Sequence, residues 1–144
     1  MDEKAPDFIA LSPEEHDTQA KAFFSHDTWA VGFLGARIVS AQAGASVVEM
    51  DINPKRHLNS VGNIQGGVLY SIGDYATAVA DWRKGQNNTT IDSSMQFLEV
   101  AKGTSLRIEA KVQRSTRRIG YYSVEITDNL GTRVAVGHFT LFHF

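Results

Sequence analysis

The sequence contains no cysteine, and it has little excess charge of either sign. Without cysteine the chain forms no disulfide, no thiolate nucleophile and no cysteine-ligated zinc site. With 14 Lys and Arg residues against 16 Asp and Glu residues, the net charge is −2, which argues against the basic face of a nucleic-acid-binding protein. We therefore look for chemistry carried by carboxylates, hydroxyls and backbone amides.

Long hydrophobic runs are also missing. The longest apolar stretch near the start, residues 29–35, is too short to span a bilayer. The acidic segment 1–7 lacks the apolar core of a secretory signal. We expect no membrane partner and a cytoplasmic location.

What the sequence does have is enough apolar content, 42%, for a real core in a chain of single-domain length. Ser12, Pro13 and two following acids form a helix-start signal, and the helix is predicted to run to Phe24. Alternating patterns and turn residues predict two strands on either side of Ala43-Gly44 and four strands near the end of the chain. The predicted strands are 33–42, 45–52, 89–98, 106–112, 122–127 and 133–144.

Between these two groups of strands lies an unusual helix, predicted from Gln65 to about Trp82. Small or apolar residues occupy almost all of its sides, which indicates a helix that is buried on most faces. One carboxylate, Asp74, lies in its middle, and we expect it to be buried. The element order predicts an α+β fold in which an antiparallel sheet wraps around one long central helix, with the last four strands forming a hairpin meander and an extra helix at the N-terminus.

The most informative segment is the polar loop from Asn59 that leads into Gly66-Gly67 and then to Asp74. A helix start offers free backbone N–H groups to a polarised carbonyl, and a nearby carboxylate offers a base or a nucleophile. Eight residues separate Gly66 from Asp74, which places them about 12 Å apart along the helix axis. A single helix cannot bring both to one carbonyl, so we predict two equivalent sites at a dimer interface.

This segment resembles the hotdog-fold thioesterases, specifically the acyl-CoA thioesterases of the phenylacetate-pathway type. The family pattern is Asn, two residues, Gly, two residues, His-Gly-Gly, and Asp seven positions after the second glycine. Asn59, Gly62, Gly66, Gly67 and Asp74 fit this pattern, whereas Gln65 stands where the family has His. Thr90 and Asp92 fit the strand that follows. The resemblance covers residues 30–144, so we expect a hotdog domain there and a separate tail and helix over 1–29.

The resemblance implies a hydrolase that converts an acyl-CoA thioester to the free acid and CoA, as a homodimer or a dimer of dimers, without cofactor or metal. Asp74 would be the base or nucleophile, and backbone N–H groups at Gly66 and Gly67 of the partner chain would bind the thioester oxygen. Asn59 would hold the loop or the water, and Thr90 would orient the water. Gln65 can donate a hydrogen bond but cannot act as an acid or base.

Each of these residues also has a structural interpretation that the sequence leaves open. Asp74 could cap a loop or pair with a cation, the glycine pair could serve tight packing, and Asn59 could only cap its loop. Gln65 could bond to nearby backbone, and Thr90 could be an ordinary strand residue. Asp92 is assigned to the substrate site by the resemblance, although a structural role fits it better.

A compact basic segment, Thr116-Arg117-Arg118, lies between two predicted strands. Arginine suits phosphate, so contact with the phosphates of coenzyme A is one interpretation and a solvated hairpin loop is the other. Lys55-Arg56 is a weaker candidate for the same role. Aromatic and methionine side chains could line an acyl pocket or simply pack in the core; they are Tyr70, Tyr75, Trp82, Met95 and Phe97.

Two other functions compete with hydrolysis. A non-catalytic hotdog module would bind acyl-CoA and sense it, and the glutamine at position 65 makes this a real alternative. A hotdog dehydratase or hydratase would need a His paired with a carboxylate, and His57 is the only histidine near the motif. A thioesterase is the function that the motif favours.

Overall fold

The computed structural model describes residues 10–144 and begins with the predicted helix, α1, Pro13–Phe24. Ser12 accepts a hydrogen bond from the backbone N–H of Glu15, and the Glu15 side chain accepts one from the backbone N–H of Ser12. This reciprocal cap fixes the start of the helix. The Asp17 carboxylate accepts a hydrogen bond from the Ala41 amide at 2.8 Å, which ties the helix to the first strand.

The predicted strand 33–42 is wrong at its beginning. Residues Thr28–Phe33 form a short π-helix, and β1 covers only Arg37–Gln42. The Asp27 carboxylate accepts hydrogen bonds from the amides of Trp29 and Ala30, and this cap starts the helical turn. Phe33, the first residue of the predicted strand, therefore ends this turn, and Leu34 follows it as the C-cap.

One six-stranded antiparallel sheet follows, in the spatial order β1-β2-β4-β5-β6-β3. The expected meander is confirmed for β4, β5 and β6, but β3 pairs with β6 and lies at the edge of the sheet. The prediction that all four late strands form one meander is therefore wrong. Instead of pairing with β4, the next strand in the sequence, β3 pairs with β6, the last one. The later strands are β2 Ala45–Asp51, β3 Asn88–Phe97, β4 Ser105–Ser115, β5 Ile119–Asp128 and β6 Arg133–His143.

The central helix, α2, Gly66–Asp81, contacts all six strands. Its buried face and the inward residues of the sheet form one core, so the sheet curves around this helix as predicted. The residues buried there include Ile72, Ala76, Val79, Ile108, Tyr122, Ile126, Phe139 and Leu141. Within residues 10–144, no helix is long and apolar enough to cross a membrane.

The two carboxylates of α2 lie in different surroundings from those expected. Asp74 is half-buried in the single chain, not fully buried. The fully buried carboxylate is Asp81, the last residue of the helix, which is 1% exposed. The interpretation of α2 as a helix with one buried acid is therefore corrected to a helix with one accessible and one enclosed acid.

Candidate active site

The first turn of α2 presents free backbone amides. Gln65 is the N-cap residue, its side chain makes no capping hydrogen bond, and its backbone N–H donates to the His57 carbonyl at 2.8 Å. Among the described residues, the amides of Gly66 and Gly67 have no acceptor, and neither residue is buried. Such amides at a helix start can stabilise a developing negative charge on oxygen.

A side chain at position 66 would press on a close neighbour. A Cβ placed there would lie 3.3 Å from Cζ of the Phe97 ring, whereas one at Gly67 would meet nothing nearer than 3.9 Å. The missing side chain at Gly66 keeps a passage open between the helix start and the end of β3. A substrate carbonyl can therefore approach the amide.

The loop before the helix is held from inside. The Asn59 side-chain carbonyl accepts hydrogen bonds from the amides of Val61 and Asn63, both at 3.1 Å. This matches the loop-capping role considered for Asn59. The side-chain amide nitrogen of Asn59 donates to no described residue.

His57, which is 2% exposed, accepts a hydrogen bond from the Asn53 amide through Nδ1 at 2.9 Å. Burial lowers the pKa of His57, which favours the neutral ring that this contact needs.

A mostly apolar cleft of about 310 Å³ opens beside these groups, between the first turn of α2, the Asn59 loop and the segment that follows β3. Apolar walls next to free amides suit the acyl part of a thioester. Asp74 is absent from the lining of this cleft. The lining residues include Asn59, Ile64, Gly66, Leu69, Phe97 and Val100.

Asp74 lies two turns further along the helix, where it meets β3. Thr90 Oγ1 donates a hydrogen bond to Asp74 Oδ1 at 2.6 Å. One turn earlier, the Tyr70 hydroxyl and the Ser93 hydroxyl form a hydrogen bond at 2.5 Å. Tyr70 and Asp74 share a helix face because they are four residues apart.

An irregularity in β3 between Thr90 and Asp92 decides which residues face the helix. Beyond it, Ser93 and Met95 are the partly buried positions, and Asp92 is exposed. The extra residue shifts the alternation by one position. The structure therefore brings Thr90 to Asp74 but leaves Asp92 on the other side of the strand, and Ser93 is a neighbour of the site that sequence reasoning missed.

The other candidates fall into two groups. Tyr75 and Trp82 are core residues, 5% and 6% exposed, and they pack against Phe24 and His16 of the N-terminal helix. Phe97 lines the cleft, and Met95 lies against Gly73 beside Asp74. Within residues 10–144, no group of His, Asp and Glu side chains is arranged to hold a metal ion.

The basic segment Thr116–Arg118 is the exposed tip of the β4–β5 hairpin. The carbonyls of Arg117 and Arg118 face His143, which also contacts Asp81 at the C-terminal end of α2. The hairpin therefore lies at the opposite end of the helix from Gly66. Asp81 and His143 were not identified from the sequence, because 62 positions separate them and no local pattern joins them.

A sheet wrapped around a helix that has free N-terminal amides and a mid-helix carboxylate defines a hotdog-fold thioester hydrolase. The family model described as Thioesterase superfamily matches residues 61–135, and the chain belongs to this family. The acyl-coenzyme A thioesterase PaaI of Escherichia coli K12 is 30% identical over 118 residues, which cover 81% of this chain and 83% of that protein.

Solved structures agree with the fold. The E. coli PaaI structure superposes with a TM-score of 0.85 at 27% identity, over 92% of this chain and 96% of that one. A hypothetical thioesterase of Streptococcus pneumoniae TIGR4, solved with coenzyme A, gives a TM-score of 0.72 at 25% identity, over 80% of this chain and 91% of that one. Alanine variants of the pneumococcal protein replace an aspartate and a threonine that are 16 positions apart, the same separation as Asp74 and Thr90.

Proposed function

We propose that the chain hydrolyses acyl-CoA thioesters, with Asp74 as the reacting carboxylate. The observation that carries this proposal is the hydrogen bond from Thr90 to Asp74 Oδ1. It fixes the carboxylate while Oδ2 has no hydrogen-bond partner among the described residues and remains accessible. A carboxylate held by one oxygen and available at the other suits a base or a nucleophile. Coenzyme A as the leaving group is supported by the name of the E. coli relative and by the coenzyme in the pneumococcal structure.

The site is completed by a second copy of the chain. The continuous helix from Gly66 to Asp81 holds Gly66 and Asp74 about 12 Å apart along its axis. The free edge strand β3 lies beside both, and its Ile91 and Phe97 are 56% and 54% exposed. A partner that covers this edge with its own helix antiparallel brings Gly66 of one chain to Asp74 of the other. The assembly is a homodimer or a dimer of dimers.

The reaction then follows from the two halves. The amides of Gly66 and Gly67 stabilise the negative charge on the thioester oxygen as the carbonyl carbon is attacked. Asp74 of the partner chain either takes a proton from the attacking water or attacks the carbon itself, and water then cleaves the acyl-enzyme anhydride. The C–S bond breaks, the CoA thiolate takes a proton, and the free acid leaves.

Six polar residues support these steps in the proposal. Thr90 orients Asp74 or the water, and Asn59, which lines the cleft, holds the loop or the water. Gln65 contributes a hydrogen-bond donor at the helix start. The exposed Arg117 and Arg118, with Thr116, bind the phosphates of the coenzyme.

The test is a thiol-release assay with a panel of acyl-CoA substrates. The chain has no cysteine, so a thiol reagent reports only the CoA that is released. Asp74→Asn is expected to lower turnover by about 10²–10⁴, because the amide can neither take a proton nor attack. The matched control is Asp51→Asn, a change at a 75% exposed side chain whose partner is the surface residue Arg37.

Equal turnover in the Asp74→Asn variant and the original chain would remove Asp74 from the mechanism. Binding of acyl-CoA without thiol release by the unmodified chain would refute hydrolysis. The thermal midpoint of each variant is measured first, so that a loss of fold is separated from a loss of chemistry.

A further inference from the structure

A buried polar cluster lies at the C-terminal end of α2, away from the reacting groups. The Asp81 side chain is fully enclosed, and its Oδ1 accepts a hydrogen bond from the Tyr122 hydroxyl at 2.7 Å. His143 Nε2 lies 2.9 Å from the same oxygen. Burial and the nearby charge of Asp81 raise the pKa of Tyr122, so its hydroxyl stays protonated and keeps donating to the carboxylate.

His143 connects this cluster to the arginine hairpin. Its Nδ1 lies 3.2 Å from the carbonyl oxygen of Arg117, and its backbone N–H donates to the carbonyl of Arg118 at 2.8 Å. A carbonyl and a carboxylate are both acceptors, so a ring N–H of His143 can donate to Asp81 or to the hairpin, while the backbone N–H holds the hairpin in either case. Two consecutive peptide units of the hairpin tip are thus held by one residue.

The backbone of β5 leaves room for this contact. A Cβ at Gly120 would lie 2.8 Å from Asp81 Oδ1 and 2.8 Å from the Tyr122 ring, so no side chain fits there. The absence of a side chain lets Asp81 reach both the tyrosine and the histidine. The hairpin tip, only two residues earlier, is itself exposed.

The cost of burying this pair indicates a role beyond stability. A buried carboxylate with its hydrogen-bonded partner commonly contributes no more to stability than well-packed apolar residues of the same volume. Such a pair does fix the relative orientation of the two segments that it joins. Here it joins the end of the central helix to a three-residue tip that carries two adjacent arginines, and recognition of phosphate by arginine depends on orientation.

We propose that Asp81 and His143 are positioning residues that hold Arg117 and Arg118 in place for the phosphates of the coenzyme. The inference rests on the proposed function, because it assumes that the hairpin contacts the nucleotide part of acyl-CoA. Neither Asp81 nor His143 touches the thioester. Their effect should therefore fall on binding of the coenzyme and not on the chemical step.

The experiment compares two thioesters of the same acyl group, one with CoA and one with N-acetylcysteamine, which has no phosphate and no nucleotide. In His143→Gln and Asp81→Asn, KM for acyl-CoA should rise on the order of tenfold. A change of this size corresponds to the loss of one hydrogen bond to a charged group. The turnover number, and both constants for the N-acetylcysteamine thioester, should stay close to those of the original chain. Equal effects on both substrates would overturn the proposal.

A double-variant cycle separates this inference from the proposed function. Arg117→Ala/Arg118→Ala should raise KM for acyl-CoA alone, and adding His143→Gln to it should produce little further change, because the groups act as one unit. If the arginine variant leaves KM for acyl-CoA unchanged, the proposed phosphate contact fails. If it raises KM while His143→Gln and Asp81→Asn do not, the positioning role fails and the phosphate contact stands.

Two further measurements complete the test. His138→Gln, a change at an exposed histidine on the same strand, should leave KM and the turnover number unchanged for both substrates. Should both cluster variants fail to fold, nitrogen NMR of the unmodified chain examines the ring directly. Ring signals of His143 that shift when CoA is added support the proposal, and no shift overturns it.

Discussion

At the scale of single residues, the site depends on how one carboxylate is held. Asp74 is contacted by a hydroxyl from a different element, at a distance typical of a hydrogen bond to a charged oxygen. Motif spacing alone could indicate Thr90, and the structure places its hydroxyl on Asp74. Asp92, two positions later, is turned away by the irregularity in β3.

Thr90→Val removes the hydroxyl and keeps the shape of the side chain. We expect turnover to fall by roughly 10–100-fold, because Asp74 loses a hydrogen bond to its charged form and is no longer oriented. Steady-state kinetics with acyl-CoA provide the measurement, and KM should change little.

Two matched variants show whether the hydroxyl is responsible. Thr90→Ser keeps a donor and should retain most of the turnover. Thr89→Val removes a neighbouring, exposed hydroxyl and should have no effect. A Thr90→Ser enzyme as slow as Thr90→Val would mean that the methyl group matters and the hydrogen bond does not.

At the scale of elements, local chemistry predicted most of the structure. The cap at Ser12, the turn at Ala43-Gly44 and the alternation along β4 and β5 are signals between near neighbours, and each was correct. The π-helix was missed because it is one short turn, started by the Asp27 cap, and the strand was predicted to begin at its last residue, Phe33. The pairing of β3 with β6 could not be predicted locally, because it joins residues far apart in the chain.

The β5–β6 hairpin shows how a single carboxylate can organise two loops. Asp128 Oδ2 accepts hydrogen bonds from the amides of Lys102 and Gly103, and Oδ1 accepts them from Leu130 and Thr132. Burial raises the pKa of Asp128, but the hydrogen bonds from these amides outweigh it and hold the pKa well below its ordinary value. The folded state therefore favours the ionised form.

Asp128→Asn should lower the free energy of unfolding by about 2–3 kcal/mol near neutral pH, since an amide cannot accept all four hydrogen bonds. Because the folded pKa is depressed, the stabilisation is present above the unfolded value and is lost as the pH falls towards the folded one. The difference between the two chains should therefore begin to narrow near pH 5 and keep narrowing as the pH falls below the unfolded pKa of about 4.

Denaturant titrations at several pH values measure this difference. Asp51→Asn is the control, because an exposed ion pair contributes less than about 1 kcal/mol and the variant should follow the original chain at every pH. A deficit for Asp128→Asn that stays constant down to the lowest pH would contradict the pKa argument.

At the scale of the whole molecule, the proposed site belongs to two chains, and this can be tested by mixing. Gly66→Val fills the passage beside Phe97, and Asp74→Asn removes the carboxylate. Each variant alone should be inactive. In a mixed dimer, the intact Gly66 of one chain meets the intact Asp74 of the other, so one of the two sites works.

Random exchange makes half of the dimers mixed, and each has one intact site, so activity should return to about a quarter of the original. The two variants are refolded together, and thiol release is measured. Asp74→Asn mixed with Thr90→Val is the control, because both changes lie in the same half-site and should give no gain. If the first mixture also gives no gain, both halves belong to one chain.

The edge strand β3 has a further consequence for handling the protein. Within residues 10–144 its ten residues pair with β6 alone, so the other side presents backbone groups that no described strand pairs with, next to exposed Ile91 and Phe97. Such an edge can pair with the edge of any other chain. A chain that loses its proper partner should therefore precipitate instead of persisting as a clear solution of inactive subunits, and turbidity would then rise as activity falls.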